Sequence, residues 1–178
     1  MRKRTDILLA LGCAIAMVAC LGQGLGGPGS AERLSNAEPS EQQLIDRFLG
    51  ALERRDPDAL RKLRVTEAEY REILMPGGVP EGRPLKRPSK ALADLAWGLV
   101  DTKSRYYEQS LLAEFGGRTL RRKAVAYEGG DRRFANHTVH EQLRLKLEDE
   151  VAGREVVLAT GSIVEVGGRY KFASFIRD

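Results

Sequence analysis

The 178-residue chain predicts an α+β fold, with helices packed on one side of a curved antiparallel sheet. Three observations carry that prediction. Apolar residues recur at helical spacing from Leu44 to Phe115. The last 60 residues alternate between apolar and polar and are punctuated by glycine pairs. The two patterns do not interleave, which segregates helices from strands. With 42% hydrophobic and 30% charged residues, the composition is globular and excludes both disorder and a polytopic membrane protein.

The N-terminus differs in character from the rest of the chain. Arg2-Lys3-Arg4 precedes an uncharged stretch from Ile7 through Val18, the layout of a secretory signal. The apolar run reaches Leu21, short of the ~20 residues that cross a bilayer as a helix, and Gly22 to Pro28 would break any continuation. Residues 1–19 therefore read as a cleaved signal peptide. Met17-Val18-Ala19-Cys20 resembles the lipobox of bacterial lipoproteins, whose cysteine is diacylated and becomes the new N-terminus. The resemblance implies lipidation of Cys20, a membrane held through that lipid, and a place in the cell envelope. By the same resemblance, Leu21 points to the periplasmic face of the outer membrane where two membranes exist. The alternative is an ordinary signal peptide cut after Ala19. Cys13 and Cys20 are the only cysteines, so the mature chain has no disulfide.

Residues 20–39 read as the lipidated cysteine and a tether, leaving residues 40–178 as the α+β domain. Gly22-x-Gly24-x-x-Gly27 matches a dinucleotide fingerprint only in spacing, since no strand precedes it and Pro28 comes directly after. Ser40-Glu41-Gln42-Gln43 is a capping box opening a helix to about Arg54. Asp56-Pro57 caps a second helix, and Thr66 to Glu69 opens a third through Leu74. Four prolines exclude regular structure from residues 76 to 88. A long helix then runs from Ser89 to Phe115, with Leu92, Leu95, Ala96, Leu99 and Val100 on its apolar side and Gly116-Gly117 as the stop.

Strands are expected over Leu120–Glu128, His137–Glu148, Glu155–Val166 and Arg169–Ile176. Gly129-Gly130-Asp131 and Gly167-Gly168 supply turns. In the second strand Val139, Leu143, Leu145 and Leu147 share one face, opposite His140, Gln142, Arg144 and Lys146. The helix ending in Glu53-Arg54-Arg55-Asp56-Pro57-Asp58-Ala59-Leu60, and the final hairpin Val166-Gly167-Gly168-Arg169-Tyr170-Lys171-Phe172, resemble the nuclear transport factor 2-like (cystatin-like, SnoaL-like) superfamily. That resemblance implies a cone-shaped domain with a pocket, and no particular reaction.

Net charge is +4, but without the leader the chain carries 26 basic and 24 acidic residues, too balanced for a nucleic-acid binder. Trp97, Tyr106, Tyr107 and His140 are the candidate pocket residues. Arg118, Arg121, Arg122, Lys123, Arg132 and Arg133 form the basic concentration that could meet an anionic surface. His137 and His140 fall on opposite faces of one strand, so no metal site is expected. No phosphate loop, nucleophile triad or cofactor motif emerges. The function expected is a non-catalytic, lipid-anchored domain that binds a small apolar ligand or an envelope protein, as a monomer or homodimer. The alternative is a small SnoaL-like isomerase, dehydratase or hydrolase using a pocket acid or base.

Overall fold

The computed structural model describes residues 33–177. The leader, Cys20 and most of the expected tether lie outside the described residues. Each helix begins where a side chain satisfies an orphan amide. Ser40 accepts from the Gln43 amide at 3.2 Å to start α1 (Glu41–Glu53). Asp56 accepts from Ala59 to start α2 (Pro57–Lys62), with Pro57 in the first turn where its missing N–H costs nothing. Thr66 and Glu69 close a full capping box on α3 (Glu67–Glu69), which runs on through a π-helical turn, Tyr70–Leu74, into α4 (Met75–Gly77). Ser89 caps the 26-residue α5 (Lys90–Phe115). The chain leaves α5 through Gly117 at φ +78, a conformation that suits glycine.

Five antiparallel strands follow: β1 (Leu120–Arg133), β2 (Thr138–Asp149), β3 (Arg154–Ala159), β4 (Ile163–Val166) and β5 (Arg169–Phe172). The order is β1-β2-β4-β5, and β3 also pairs with β2. Thus β2 has β1 along one edge and, along the other, first β4 and then β3. The change of partner falls at Gln142, whose φ of 60 kinks the strand. The expected third strand is accordingly split at Thr160-Gly161-Ser162. Gly161 is required there, because a Cβ would lie 2.2 Å from the Ser174 carbonyl oxygen.

Other boundaries differ from expectation for local reasons. Gly129-Gly130 is a bulge inside β1 and not a turn, since the register shifts there and the strand continues to Arg133. The true turn is residues 134–137, where His137 stacks on Phe134 at 4.8 Å. The last strand stops at Phe172. Its free edge is covered by Glu38, which exchanges two backbone bonds with Tyr170, and by Leu63 and Val65, which bond Phe172. Leu34 is buried and the Ser35 amide donates to Glu69. The packed region therefore begins ahead of Ser40, taking in part of the expected tether.

Apolar residues fill both faces of the sheet. On one face Leu143, Leu145, Leu147, Ile163 and Phe172 pack against Leu44, Phe48 and Leu52 of α1 and Leu111 and Phe115 of α5. On the other, Val139, Val164 and Val166 pack against Leu34, Ile73, Leu74 and Trp97. Beside that second cluster the Lys171 ammonium is buried, donating to Glu69 at 2.8 Å and to the Ser35 carbonyl at 3.0 Å. Burial alone would raise the Glu69 carboxyl, but bonds from Lys171, Thr66 and Ser35 hold it below its ordinary value.

The apolar side of α5 is not the side it buries. Leu92, Leu95 and Leu99 are more than half exposed, whereas Ala93, Ser104, Glu108, Leu111 and Phe115 face inward. The reason is an ion-pair ladder. Asp94, Asp101 and Glu108, seven residues apart, meet Arg71, Arg64 and Arg61 respectively, and the Arg61–Glu108 distance is 2.9 Å. Asp101 is held low despite burial by Arg64 and Arg105.

Removing the most buried arginine of this ladder should be costly. Arg64→Ala is expected to lower stability by about 3 kcal/mol, because Asp101 stays partly buried with only Arg105 beside it. Lys62→Ala, on the exposed side of α2, should stay within ~0.5 kcal/mol. Urea unfolding of both variants checks the contrast.

A second prediction concerns pH. Burial pushes the His137 imidazole down to about 4 from 6.5. The unfolded chain therefore takes a proton below about pH 6.5 that the folded chain refuses. Stability should fall as pH drops from about 6.5 to about 4, by up to about 3 kcal/mol, and this component should level off below that. Thermal melts across the window should show a shallower slope for His137→Gln.

Candidate functional site

The kink at Gln142 also decides where His140 points. On a regular strand His140 and Leu143 would face opposite sides. Here His140 pairs with Ile163 of β4, and Ile163 pairs with Phe172 of β5, both on the face covered by α1. Directly opposed residues share a face, so His140 lies on the inner side and Val139 on the outer one. The sequence left the polar face of His140 open to either solvent or a pocket, and that single positive-φ residue turns it inward.

Four further side chains converge on the imidazole, and a fifth, Glu41, reaches the phenols beside it. Asp131, opposite it on β1, lies 2.7 Å from Nδ1. Glu165 of β4 places Oε2 3.6 Å from Nε2. The rings of Tyr127 and Tyr170 lie 5.3 and 6.4 Å from the imidazole, centre to centre. Glu41, in the first turn of α1, acts on both phenols. Burial first, and then the carboxylate of Glu41, push Tyr127 far above the ordinary tyrosine range. Burial and Glu165 raise Tyr170 in the same way.

His140 Nε2 and the Tyr127 hydroxyl are buried without a close hydrogen bond: Nε2 is 3.6 Å from Glu165, and the hydroxyl faces only the Glu41 carboxylate. Most buried polar groups in folded proteins have partners, so two such atoms side by side call for an explanation. Nδ1 stands against Asp131, and the atom opposite Nε2 is a carboxylate oxygen of Glu165. A donor from outside can bridge the two. The tyrosine hydroxyl beside them can donate in turn. An adjoining cleft of about 220 Å³ takes Glu165, Thr138, Arg133 and Phe134 into its wall.

The other expected pocket residues do not join this site. Trp97 belongs to the opposite face of the sheet, 5.5 Å from Tyr70 with Arg64 above its ring. Tyr106 is 66% exposed on α5, edge-on to Tyr107, which is half-buried against the main core. Among the basic residues, Arg118 is bonded to Asp149, Arg121 and Lys123 share Glu148, Arg122 reaches Asp46, and Arg132 meets Glu141. Arg133 lines the cleft. Among the described residues no three His, Cys, Asp or Glu side chains are grouped to hold a metal ion.

Glu165 and Tyr170 were within reach of sequence reasoning, because a two-residue Gly167-Gly168 hairpin fixes them as partners. Asp131 and Tyr127 were hidden by the bulge, and Glu41 by its place on a different element. No family model, curated protein or solved structure matches the chain.

If the Tyr127 hydroxyl serves a ligand and not the fold, deleting it should not harm the fold. Tyr127→Phe is expected to change stability by no more than about 1 kcal/mol, since the buried hydroxyl it removes meets the fold only through Glu41. Chemical denaturation reads this directly.

Proposed function

We propose that the chain is an exported, lipid-anchored domain of the cell envelope that binds a small polar ligand at the His140 cluster. The observation that carries this reading is the pair of buried atoms without a close hydrogen bond, His140 Nε2 and the Tyr127 hydroxyl, beside Glu165. A ligand bearing a hydroxyl or amine would donate to Nε2 or Glu165 and accept from Tyr127, giving all three groups partners. The lining favours such a ligand over the apolar one expected from sequence. Export and anchoring rest on the leader and on Cys20. Helices gathered over the inner face of an antiparallel sheet, with a polar cluster between them, support a nuclear transport factor 2-like domain.

One observation favours a second reading. Asp131 orients the imidazole at 2.7 Å, as a base is oriented in acid–base catalysis. His140 would then remove a proton from a bound substrate. Tyr127, kept protonated by its raised pKa, would donate to the oxygen on which charge develops. This is the chemistry of a small isomerase or dehydratase.

Heteronuclear NMR titration of the protein with a panel of polyols, amino alcohols and hydroxy acids separates the readings. Binding should shift resonances of His140 and Tyr127 and weaken at least roughly tenfold in Glu165→Gln, the loss of a charge-assisted bond. Turnover of a bound compound, lost on the order of 10²–10⁴-fold in His140→Ala, would transfer the conclusion to the enzyme. Shifts confined to other regions would overturn both.

A further inference from the structure

We infer that the outer face of α5 is a membrane-docking surface for an anionic lipid bilayer, the one to which Cys20 is anchored. The proposal rests on that anchor. Leu92, Leu95, Leu99 and Tyr106 are 53%, 63%, 58% and 66% exposed. Their spacing of three, four and seven residues stacks them along one side of the helix, over about 21 Å. Gly98 lies beside this stripe with open space where its Cβ would be. The opposite side of α5 is committed to the arginine ladder and to Trp97, Leu111 and Phe115, so the exposed side cannot turn inward. No helix among the described residues is long and apolar enough to cross a membrane. The stripe is thus a surface feature.

Charge identifies the occupant. Between residues 81 and 106 there are six cations, Arg83, Lys86, Arg87, Lys90, Lys103 and Arg105, against three carboxylates. Asp94 is shared by Arg71 and Lys90, Asp101 by Arg64 and Arg105, and Arg87 meets Glu72. Arg83, Lys86 and Lys103 have no carboxylate partner among the described residues. Leu85, also more than half exposed, sits among them. Apolar side chains beside surplus cations match the boundary between acyl chains and anionic headgroups.

Size and reach point the same way. The stripe amounts to a few hundred Å², below the roughly 800 Å² per partner of a stable protein interface. A second copy or a globular partner would thus be weakly held. A bilayer needs less, because the anchor removes most of the cost of encounter. Twelve residues separate Cys20 from Arg33, so the domain stays within about 45 Å of its lipid even at full extension. The chain enters the fold at Leu34, in the same cluster as Trp97 of α5. The helix is therefore within reach of the surface that holds the lipid.

The test uses the full chain, expressed, processed and reconstituted into vesicles, with intact mass reporting acylation at Cys20. In Leu99→Cys the new thiol is labelled with an environment-sensitive fluorophore. On an equal mixture of phosphatidylglycerol and phosphatidylcholine the label should shift to the blue and be quenched by lipids brominated on their acyl chains. Both signals should weaken on phosphatidylcholine alone. Leu95→Glu/Leu99→Glu, which alters only exposed positions, should keep its melting temperature. It should also expose a label at Tyr106→Cys to aqueous quencher roughly tenfold more than in the parent. Acylated protein with a fully solvent-quenched label would overturn the proposal. So would a disulfide between two unlabelled Leu99→Cys chains that grows with protein density, which assigns the face to a second copy. A mass without acyl chains would refute the anchor alone. Docking is then read as free partitioning, and equal partitioning of the parent and the double-glutamate variant would refute it too.

Discussion

The ladder of Arg61, Arg64 and Arg71 against Glu108, Asp101 and Asp94 is the interaction on which the rest of the arrangement depends. It fixes the rotation of a 26-residue helix about its own axis. A helix carrying leucines on one side would, on hydrophobic burial alone, turn that side inward. Three carboxylates at a seven-residue repeat are presented instead to three arginines from α2 and the turns that follow it. Glu108 is buried and the Asp101 side chain is only 19% exposed. Turning the helix would leave such charges unpaired, a cost that outweighs exposing a few leucines. The same ladder brings Trp97 under Arg64 and closes the second cluster over the outer face of the sheet.

A second constraint acts within the sheet. β2 is long enough to serve β4 and β3 in succession, and the kink at Gln142 lets it do so. Before the kink, even-numbered residues such as His140 face inward. After it, odd-numbered ones such as Leu143 and Leu145 do. One residue with positive φ therefore puts a histidine from the polar side of the alternation at the centre of a cluster with Asp131, Glu165, two tyrosines and Glu41. The register shift at Gly129-Gly130 keeps β1 in step with that change, so that Asp131 stands opposite His140 on the same face as Tyr127. Irregularity in both strands is how polar groups come to stand at the end of an otherwise apolar core.

Charge in the domain is largely matched locally. The concentration of arginines from residue 118 onward is met by Asp149, Glu148, Asp46 and Glu141. The buried Lys171 is met by Glu69. Against that background two regions stand out: the acidic surroundings of His140, and the flank of α5, where Arg83, Lys86 and Lys103 meet no carboxylate among the described residues.

The α+β class, the caps at Ser40, Asp56 and Thr66, the helical pattern from Ser89 and the Gly167-Gly168 hairpin were all legible in the sequence. Each depends on residues within a few positions of one another, so local chemistry settles it. Periodicity also located α5 and the alternation of β2 beyond Gln142. It could not say which side of α5 is buried, because carboxylates at positions 94, 101 and 108 read as solvated until the arginines some 20 to 50 residues away are brought against them. Nor could it place His140, since a bulge shifts strand parity without leaving a reliable mark in composition. Length, pattern and capping determined which elements form. Pairing across long sequence separations decided which faces they bury, because the cost of an unpaired buried charge is known only once its partner is in place.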